Sequence, residues 1–153
     1  MKNRLESIKR AHKEKQRVMT SKMEDYLEVI LELIEDKGYA TVVDISSHLN
    51  VSAASVTNMV KRLRDQGYLE YERYRGLRLT EKGKSVAESI RERHGILIKF
   101  LTLLCVDEDR ANKEAEGLEH YLESSTLIKL EKFIKLIETR PELVKEIKDV
   151  INK

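Results

Sequence analysis

Residues 41–80 constrain the fold most strongly, because two short helix signals and a hairpin signal follow one another directly there. The first helix signal covers residues 41–49, with Thr41 in the capping position, and the second covers residues 53–65. Between them, residues 50–52 have the composition of a tight turn. Two short helices joined by such a turn predict a helix-turn-helix unit.

Two short segments with alternating apolar and polar residues follow this unit. They cover residues 68–71 and 76–80, and residues 72–75 connect them, with Gly76 available for the turn. Because a hairpin directly after a helix-turn-helix is the arrangement of a winged helix, we expect a winged helix-turn-helix with a small β-hairpin wing.

Helix signals dominate the remainder of the chain. The pair Ser21 and Glu24 resembles a capping box at the start of an amphipathic segment that Gly38 ends. Later helices are predicted to begin at Thr80, Asp107, Ser124 or Ser125, and Pro141. The sequence therefore predicts a mainly α protein with a helical C-terminal part.

The charge is unevenly distributed along the 153 residues, although the formal net charge is only +2. Residues 1–22 contain eight Lys or Arg and two Glu, whereas the remainder is mildly acidic. This basic extension is either a solvated, partly helical tail or an arm that adds phosphate contacts. A DNA-binding surface elsewhere must come from the local placement of cations.

Cysteine usage and hydropathy indicate the compartment. Cys105 is the only cysteine, so a disulfide within the chain is excluded, which fits a reducing cytosol. The longest apolar stretch, residues 95–106, is interrupted by Lys99 and is too short to span a bilayer. The basic N-terminus does not lead into an apolar signal core. We therefore expect a cytoplasmic protein without a membrane partner.

A DNA-reading surface is predicted on the second helix of the unit and on the wing. Such a helix presents hydrogen-bonding side chains to base edges and cations to phosphates. The predicted DNA-binding residues are Ser52, Ser55, Thr57, Asn58, Lys61, Arg62, Tyr74 and Arg75. For Ser52, capping the helix is an equally good interpretation. The unit as a whole is predicted to bind double-stranded DNA.

Glu116, Glu119 and His120 form the most informative cluster outside that unit. On a helix, their i, i+3, i+4 spacing would bring all three side chains to one face. Two carboxylates and an imidazole, without sulfur, suit a divalent metal ion. Because charged patches on helices are common, this spacing alone indicates only a candidate site.

Three upstream residues could complete such a site. Asp25 and Glu28 are spaced i, i+3 in the predicted first helix, and His94 lies in the long predicted helix. Each also has an ordinary explanation, since acids are favoured near helix N-termini and a single histidine beside apolar residues is commonly packed and hydrogen-bonded. The coincidence of six such residues on three helices favours a metal site.

These segments together resemble the diphtheria-toxin-repressor family of metal-dependent regulators, specifically its manganese transport regulator branch. The matching segments are residues 23–28, 55–60, 74–77 with 79–80, 93–94 and 116–120. They fall in the order and spacing of the family between residue 23 and about residue 123, which is roughly two thirds of the chain. The basic extension is a departure from short family members, and the SH3-like domain of longer members has no counterpart here.

The resemblance implies a two-metal site with Asp25, Glu28, His94, Glu116, Glu119 and His120 as ligands. In iron-responsive relatives a Met stands at the position of Asp25 and a Cys at that of Glu116. Oxygen donors at both positions favour Mn²⁺, with Fe²⁺, Co²⁺, Cd²⁺ or Zn²⁺ as substitutes and no organic cofactor. The implied protein is a homodimeric repressor of metal-uptake genes that binds a palindromic operator.

This interpretation divides the chain into a basic extension (1–22), a winged-helix DNA-binding domain (23–80) and a helical metal-binding and dimerisation domain (81–153). The apolar residues predicted as candidates for the dimer interface are Leu118, Leu122, Leu127, Leu130 and Ile134. Their alternative role is packing within the chain.

Three alternative functions remain at the level of sequence. One is an iron-responsive regulator, and another is a metal-independent winged-helix regulator that senses an organic ligand. The third is a metallohydrolase, because Glu-x-x-Glu-His is superficially similar to a peptidase signature in which a histidine replaces Glu116. The chain has no nucleophile elbow or phosphate-binding glycine loop, so we expect no enzymatic activity.

Overall fold

The computed structural model describes residues 19–153 and confirms the mainly α fold with one two-stranded hairpin. The interpretation of residues 1–18 as part of a basic arm lies outside the described residues. In chain order the elements are α1 (Ser21–Lys37), α2 (Val42–Leu49), α3 (Ala53–Asp65), β1 (Leu69–Glu72), β2 (Gly76–Leu79), α4 (Glu81–Leu103), α5 (Glu108–Leu118), α6 (Ser124–Glu138) and α7 (Pro141–Ile151). In this part of the chain, no helix is both long and apolar enough to cross a membrane.

The chain forms two compact units, and the division falls within α4, between Ala87 and Glu88. The first unit contains the helix-turn-helix and the hairpin, and the second is entirely helical. The domain boundary predicted between residues 80 and 81 is not tested by this division and stays a prediction.

Local hydrogen bonds explain where α1 begins and ends. The Thr20 side chain accepts a hydrogen bond from the Met23 amide, so the cap lies one residue before the predicted Ser21. The prediction of a capping box with Ser21 was therefore wrong. At the other end Gly38 has a φ of +84°, and its amide donates to the Ile34 carbonyl, as expected for a left-handed C-cap.

The helix-turn-helix forms as predicted, because each boundary has its own capping residue. Thr41 and Asp44 form a reciprocal capping box at the start of α2. Asn50 ends α2 in the left-handed region, with a φ of +51°. The Ser52 hydroxyl then accepts a hydrogen bond from the Ser55 amide at 3.1 Å and caps α3.

The hairpin is joined to the helices at both ends. Its antiparallel register pairs Leu69 with Leu79 and Glu72 with Gly76. The Thr80 hydroxyl donates to the Gly67 carbonyl at 2.7 Å and accepts from the Gly83 amide at 3.1 Å. A Cβ at Gly83 would lie only 2.0 Å from the Tyr68 carbonyl oxygen, so this close approach of α4 to the hairpin requires glycine.

A closed apolar core holds the first unit together. Side chains from its helices and both strands contribute, and the fully buried members include Met23, Leu27, Ile30, Ile45, Val56 and Leu63. On α3 the buried residues are Val56 and Leu63, so the opposite face of this helix is free for other contacts. The core thus fixes which side of α3 is presented outward.

The second unit has a smaller core, formed by α4, α5 and α6. Its buried residues are Leu97, Leu101, Ala111, Ala115 and Leu127. Helix α7 contains no buried residue, although its sequence is amphipathic. Large apolar side chains also remain exposed on α6, namely Ile128, Phe133 and Leu136.

The predicted dimer-interface residues divide into two groups. Leu127 and Ile134 are each only 2% exposed, so the prediction was wrong for them, because a side chain buried within its own chain cannot cover a partner. Leu122 and Leu130 are partly buried against the core, and Leu118 is 41% exposed. Of the five, Leu118 therefore offers the most apolar surface.

Candidate metal-binding and DNA-binding sites

Glu119 is the centre of the candidate metal site in the second unit. Its carboxylate is 1% exposed and is the only buried charged side chain among residues 19–153. The His94 Nδ1 atom lies 2.8 Å from Oε2 of Glu119, and the His120 Nε2 atom lies 3.6 Å from Oε1. Both imidazoles therefore lie beside the Glu119 carboxylate, and the role of these three residues as metal ligands stays a prediction.

Burial is the main influence on the Glu119 carboxyl. Desolvation raises its pKa, while the hydrogen bond from His94 and the nearby His120 oppose this rise. Glu116 adds a smaller repulsive effect that raises the pKa of Glu119 further. A carboxylate that is costly to bury without a counter-charge is well suited to hold a cation.

The backbone around Glu119 differs from the prediction of one continuous helical face. Helix α5 ends at Leu118, and Glu119 is its C-cap, with helical dihedral angles and an amide that donates to the Ala115 carbonyl. His120 lies in the turn that follows, so the prediction of a helical i, i+4 position was wrong for this residue. The helix ends where the Tyr121 amide bonds the Leu118 carbonyl.

The other three proposed ligands are on two separate helices and differ in how far they are exposed. Glu116 is exposed on the last turn of α5, whereas Asp25 and Glu28 are half-buried on the first turns of α1. Asp25 and Glu28 thus belong to the first unit, and the remaining four residues belong to the second. Across residues 19–153, no three His, Cys, Asp or Glu side chains are grouped closely enough to hold a metal ion.

The chemistry of the donors nevertheless fits a divalent metal ion. The atoms already paired at Glu119 are carboxylate oxygens and imidazole nitrogens, and both groups bind such ions when they are deprotonated. No sulfur takes part in these contacts. A set of oxygen and nitrogen donors suits Mn²⁺ and similar ions better than soft ions.

The outward face of α3 carries the predicted base-reading residues. Ser52, Ser55, Thr57, Asn58 and Lys61 are all exposed, and Arg62 is half-buried. The Ser52 hydroxyl caps the helix and also lies 2.9 Å from the Ser55 hydroxyl. The Thr57 hydroxyl donates to the Ala53 carbonyl at 2.9 Å. The exposed Asn58 and Lys61 lie three residues apart on this helix, and their contact with DNA stays a prediction.

The wing presents an aromatic residue between two arginines. Tyr74 is 90% exposed and has a φ of +73°, a strained conformation for a bulky residue. The Arg73 guanidinium lies 5.2 Å from the Tyr74 ring centroid. At the base of the wing, Arg78 bonds Glu72 at 2.7 Å and is the main cause of the lowered pKa of that carboxyl.

One contact near the metal candidates was missed by the sequence interpretation. The Arg93 Nη1 atom lies 3.5 Å from the backbone carbonyl oxygen of Glu119. Its position beside His94 was visible in the sequence, but a contact with a backbone carbonyl 26 residues away leaves no signal in side-chain spacing.

Two family models match the chain over most of its length. The model described as "Iron dependent repressor, N-terminal DNA binding domain" matches residues 18–77. The model described as "Iron dependent repressor, metal binding and dimerisation domain" matches residues 80–147. The order of the two models agrees with the winged helix and the following helical unit described above.

Individual relatives agree with these models. The chain is 42% identical to the HTH-type transcriptional regulator MntR of Lysinibacillus sphaericus (strain C3-41) over 128 residues, which are 84% of this chain and 92% of that protein. The regulator of the same name from Bacillus velezensis is 42% identical over 134 residues, with 88% and 94% coverage. These names describe regulators of transcription and support the prediction that the chain is not an enzyme.

The fold also matches solved structures. The manganese regulator SloR superposes with a TM-score of 0.68 at 34% identity, covering 76% of this chain. The matched region is 55% of that longer chain. Together with the family models and the curated relatives, this similarity shows that the chain belongs to the diphtheria-toxin-repressor family of metal-dependent transcriptional regulators, in its manganese transport regulator branch.

Proposed function

We propose that the protein is a manganese-activated, DNA-binding transcriptional repressor of metal-uptake genes. The observation that carries this proposal is the buried Glu119 carboxylate held between His94 and His120, in a chain whose relatives are named as manganese regulators. Because its proposed ligand is an operator, the protein would act in the cytoplasm.

The proposed site holds two Mn²⁺ ions per chain. Its ligands are Asp25, Glu28, His94, Glu116, Glu119 and His120. In such a site the four carboxylates would repel one another without a cation, and two divalent ions would compensate their charge. Because the proposed ligands belong to different units, a metal bound by all of them would restrict the orientation of the DNA-binding unit. A tenfold gain in operator affinity requires only about 1.4 kcal/mol of such coupling.

Metal selectivity is proposed to depend on oxygen donors at Asp25 and Glu116. Replacing a hard carboxylate by a thiolate favours softer ions, and therefore Glu116→Cys should improve the response to Fe²⁺ or Zn²⁺ relative to Mn²⁺. The measurement is operator binding in parallel titrations with Mn²⁺, Fe²⁺, Zn²⁺, Co²⁺ and Cd²⁺. An unchanged order of metals would exclude Glu116 as the selecting residue.

The DNA-binding surface is proposed to be the outward face of α3 together with the wing. Its residues are Ser52, Ser55, Thr57, Asn58, Lys61, Arg62, Tyr74 and Arg75. In a homodimer, two such surfaces separated by about 34 Å would match the half-sites of a palindromic operator.

The basic extension would add phosphate contacts, so deleting residues 2–18 should reduce the salt dependence of operator binding.

Calorimetry with Mn²⁺ tests the site separately from DNA. We expect the wild type to bind two Mn²⁺ ions per chain. Asp25→Asn removes one proposed ligand from the first unit and should bind fewer ions or bind them much more weakly. Asp36→Asn, on the same helix but outside the proposed ligand set, is the matched control. Equal binding by the wild type and Asp25→Asn would show that the first unit contributes no ligand.

A further inference from the structure

We propose that Arg93 is a positioning residue for the metal site, because it holds the turn that carries Glu119 and His120 against helix α4. This inference rests on the proposed function, since it concerns how the ligands are arranged before metal binds. Arg93 itself is not a proposed ligand, because a guanidinium remains protonated and has no lone pair to offer a cation.

Two neighbouring residues of helix α4 contact Glu119, one at its side chain and the other at its backbone. The His94 Nδ1 atom lies 2.8 Å from the carboxylate, and the neighbouring Arg93 places Nη1 3.5 Å from the backbone carbonyl of the same residue. One contact fixes the side chain and the other restrains the backbone. Consecutive residues of α4 thus limit both the rotamer of Glu119 and the direction of the chain that enters the turn.

The C-terminal end of α5 has no basic residue of its own to stabilise its last carbonyls. The last carbonyls of a helix have no partners within the helix, and basic residues near the C-terminus stabilise them. The last turn of α5 contains no basic residue. Arg93 brings a cation to this end from α4, at the C-cap carbonyl itself. The turn with His120 begins directly after that carbonyl.

Positioning and simple electrostatics predict opposite effects of removing this charge. A guanidinium close to a cation site repels Mn²⁺, so its removal alone should strengthen metal binding. If Arg93 instead holds the ligands in place, its removal should weaken metal binding, since residues that support metal ligands typically contribute roughly tenfold or more in affinity. The sign of the change in affinity therefore separates the two effects.

The experiment compares Arg93→Gln, Arg93→Lys and the full-length wild type by Mn²⁺ calorimetry at constant ionic strength. We expect Arg93→Gln to bind Mn²⁺ roughly tenfold more weakly and Arg93→Lys to lie between it and the wild type. The exposed Arg91 lies on the same helix, so Arg91→Gln is the matched control for the loss of one charge and should bind like the wild type.

Two further readouts identify the cause. Amide hydrogen exchange of residues 119–121 in metal-free protein should be faster in Arg93→Gln but unchanged in Arg91→Gln. The electron paramagnetic resonance spectrum of bound Mn²⁺ should broaden in Arg93→Gln, because looser ligands give a less uniform site. Melting curves establish that each variant is folded, and if Arg93→Gln is not, Arg93→Lys decides by the same measurements.

Unchanged or tighter Mn²⁺ binding by the folded Arg93 variants would overturn the positioning role and leave the proposed function intact, provided that the wild type binds Mn²⁺. Absence of Mn²⁺ binding by the wild type would overturn both the proposed function and this inference. Weaker binding by Arg93→Gln with partial recovery in Arg93→Lys supports the positioning role.

Discussion

The two units differ in how completely their apolar side chains are buried within the chain. In the first unit, helices and strands enclose one core, with Ile45, Val56 and Leu63 fully buried. In the second unit, Ile128, Phe133 and Leu136 are each more than half exposed, and α7 has no buried residue. Because this region matches a dimerisation domain, the exposed apolar side chains of the second unit are candidates for contact with a second copy of the chain.

Truncation of the core of the first unit should give the largest effect on chain stability. Leu63→Ala removes a fully buried side chain and should lower the free energy of unfolding by about 2–5 kcal/mol. Leu136→Ala, at a side chain that is 53% exposed, should instead have little effect on the unfolding of the monomer and should weaken dimerisation. Denaturant unfolding and sedimentation measure the two effects. Equal loss of stability in both variants would contradict the comparison.

Removing the buried charge at the metal site should have the next largest effect. Glu119→Gln keeps the shape of the side chain but loses the anionic ligand, so Mn²⁺ binding should weaken by roughly a hundredfold. Glu114→Gln, at a half-buried residue of α5 that is paired with Arg110, is the control. If both variants bind Mn²⁺ equally well in calorimetry, Glu119 is not a ligand.

Substitution of Ser52 tests whether this residue of the proposed DNA-binding surface acts mainly as the N-cap of α3. Because the Ser52 hydroxyl accepts a hydrogen bond from the Ser55 amide, Ser52→Ala should lower the free energy of unfolding by about 1 kcal/mol. Operator affinity with saturating Mn²⁺ should change by less than about twofold if capping is its main role. A large loss of affinity in a variant that melts like the wild type would assign Ser52 to DNA contact.

The smallest effect concerns the capping box of the first unit. The hydrogen bond from Lys37, followed by that from Thr41, lowers the pKa of Asp44 below its usual value. A lowered pKa means that the stabilisation is present above the pKa of the unfolded chain, near pH 4, and is lost as the pH falls through the folded value. The stability difference between wild type and Asp44→Asn should therefore be constant near neutrality and shrink below about pH 4. A difference independent of pH would contradict this contribution.

Local chemistry made the first unit predictable. Thr41, Ser52 and Gly38 each act within a few residues of their own position, and the structure confirms all three as boundaries. Ser21 failed as a cap because Thr20, one residue earlier, has the same chemistry and makes the bond. Propensity identifies the region of a boundary, whereas the hydrogen bond that forms decides the residue.

The second unit was less predictable because its features depend on packing between helices. Periodicity identified Leu127 and Ile134 as apolar, but it does not distinguish a core inside the chain from an interface with a partner. Likewise, because α5 ends at Leu118, His120 lies in the following turn and not on the expected helical face. The pairing of His94 with Glu119 was foreseen only as a shared site, and its geometry required the fold.

The central claim is that Mn²⁺ binding at the site around Glu119 controls DNA binding by the first unit. The most direct measurement is the affinity of the full chain for its operator, with saturating Mn²⁺ and with a chelator, at the same ionic strength. We predict that affinity rises at least tenfold with Mn²⁺ and that Glu119→Gln removes this rise. Equal affinity of the wild type in the two conditions would contradict the claim.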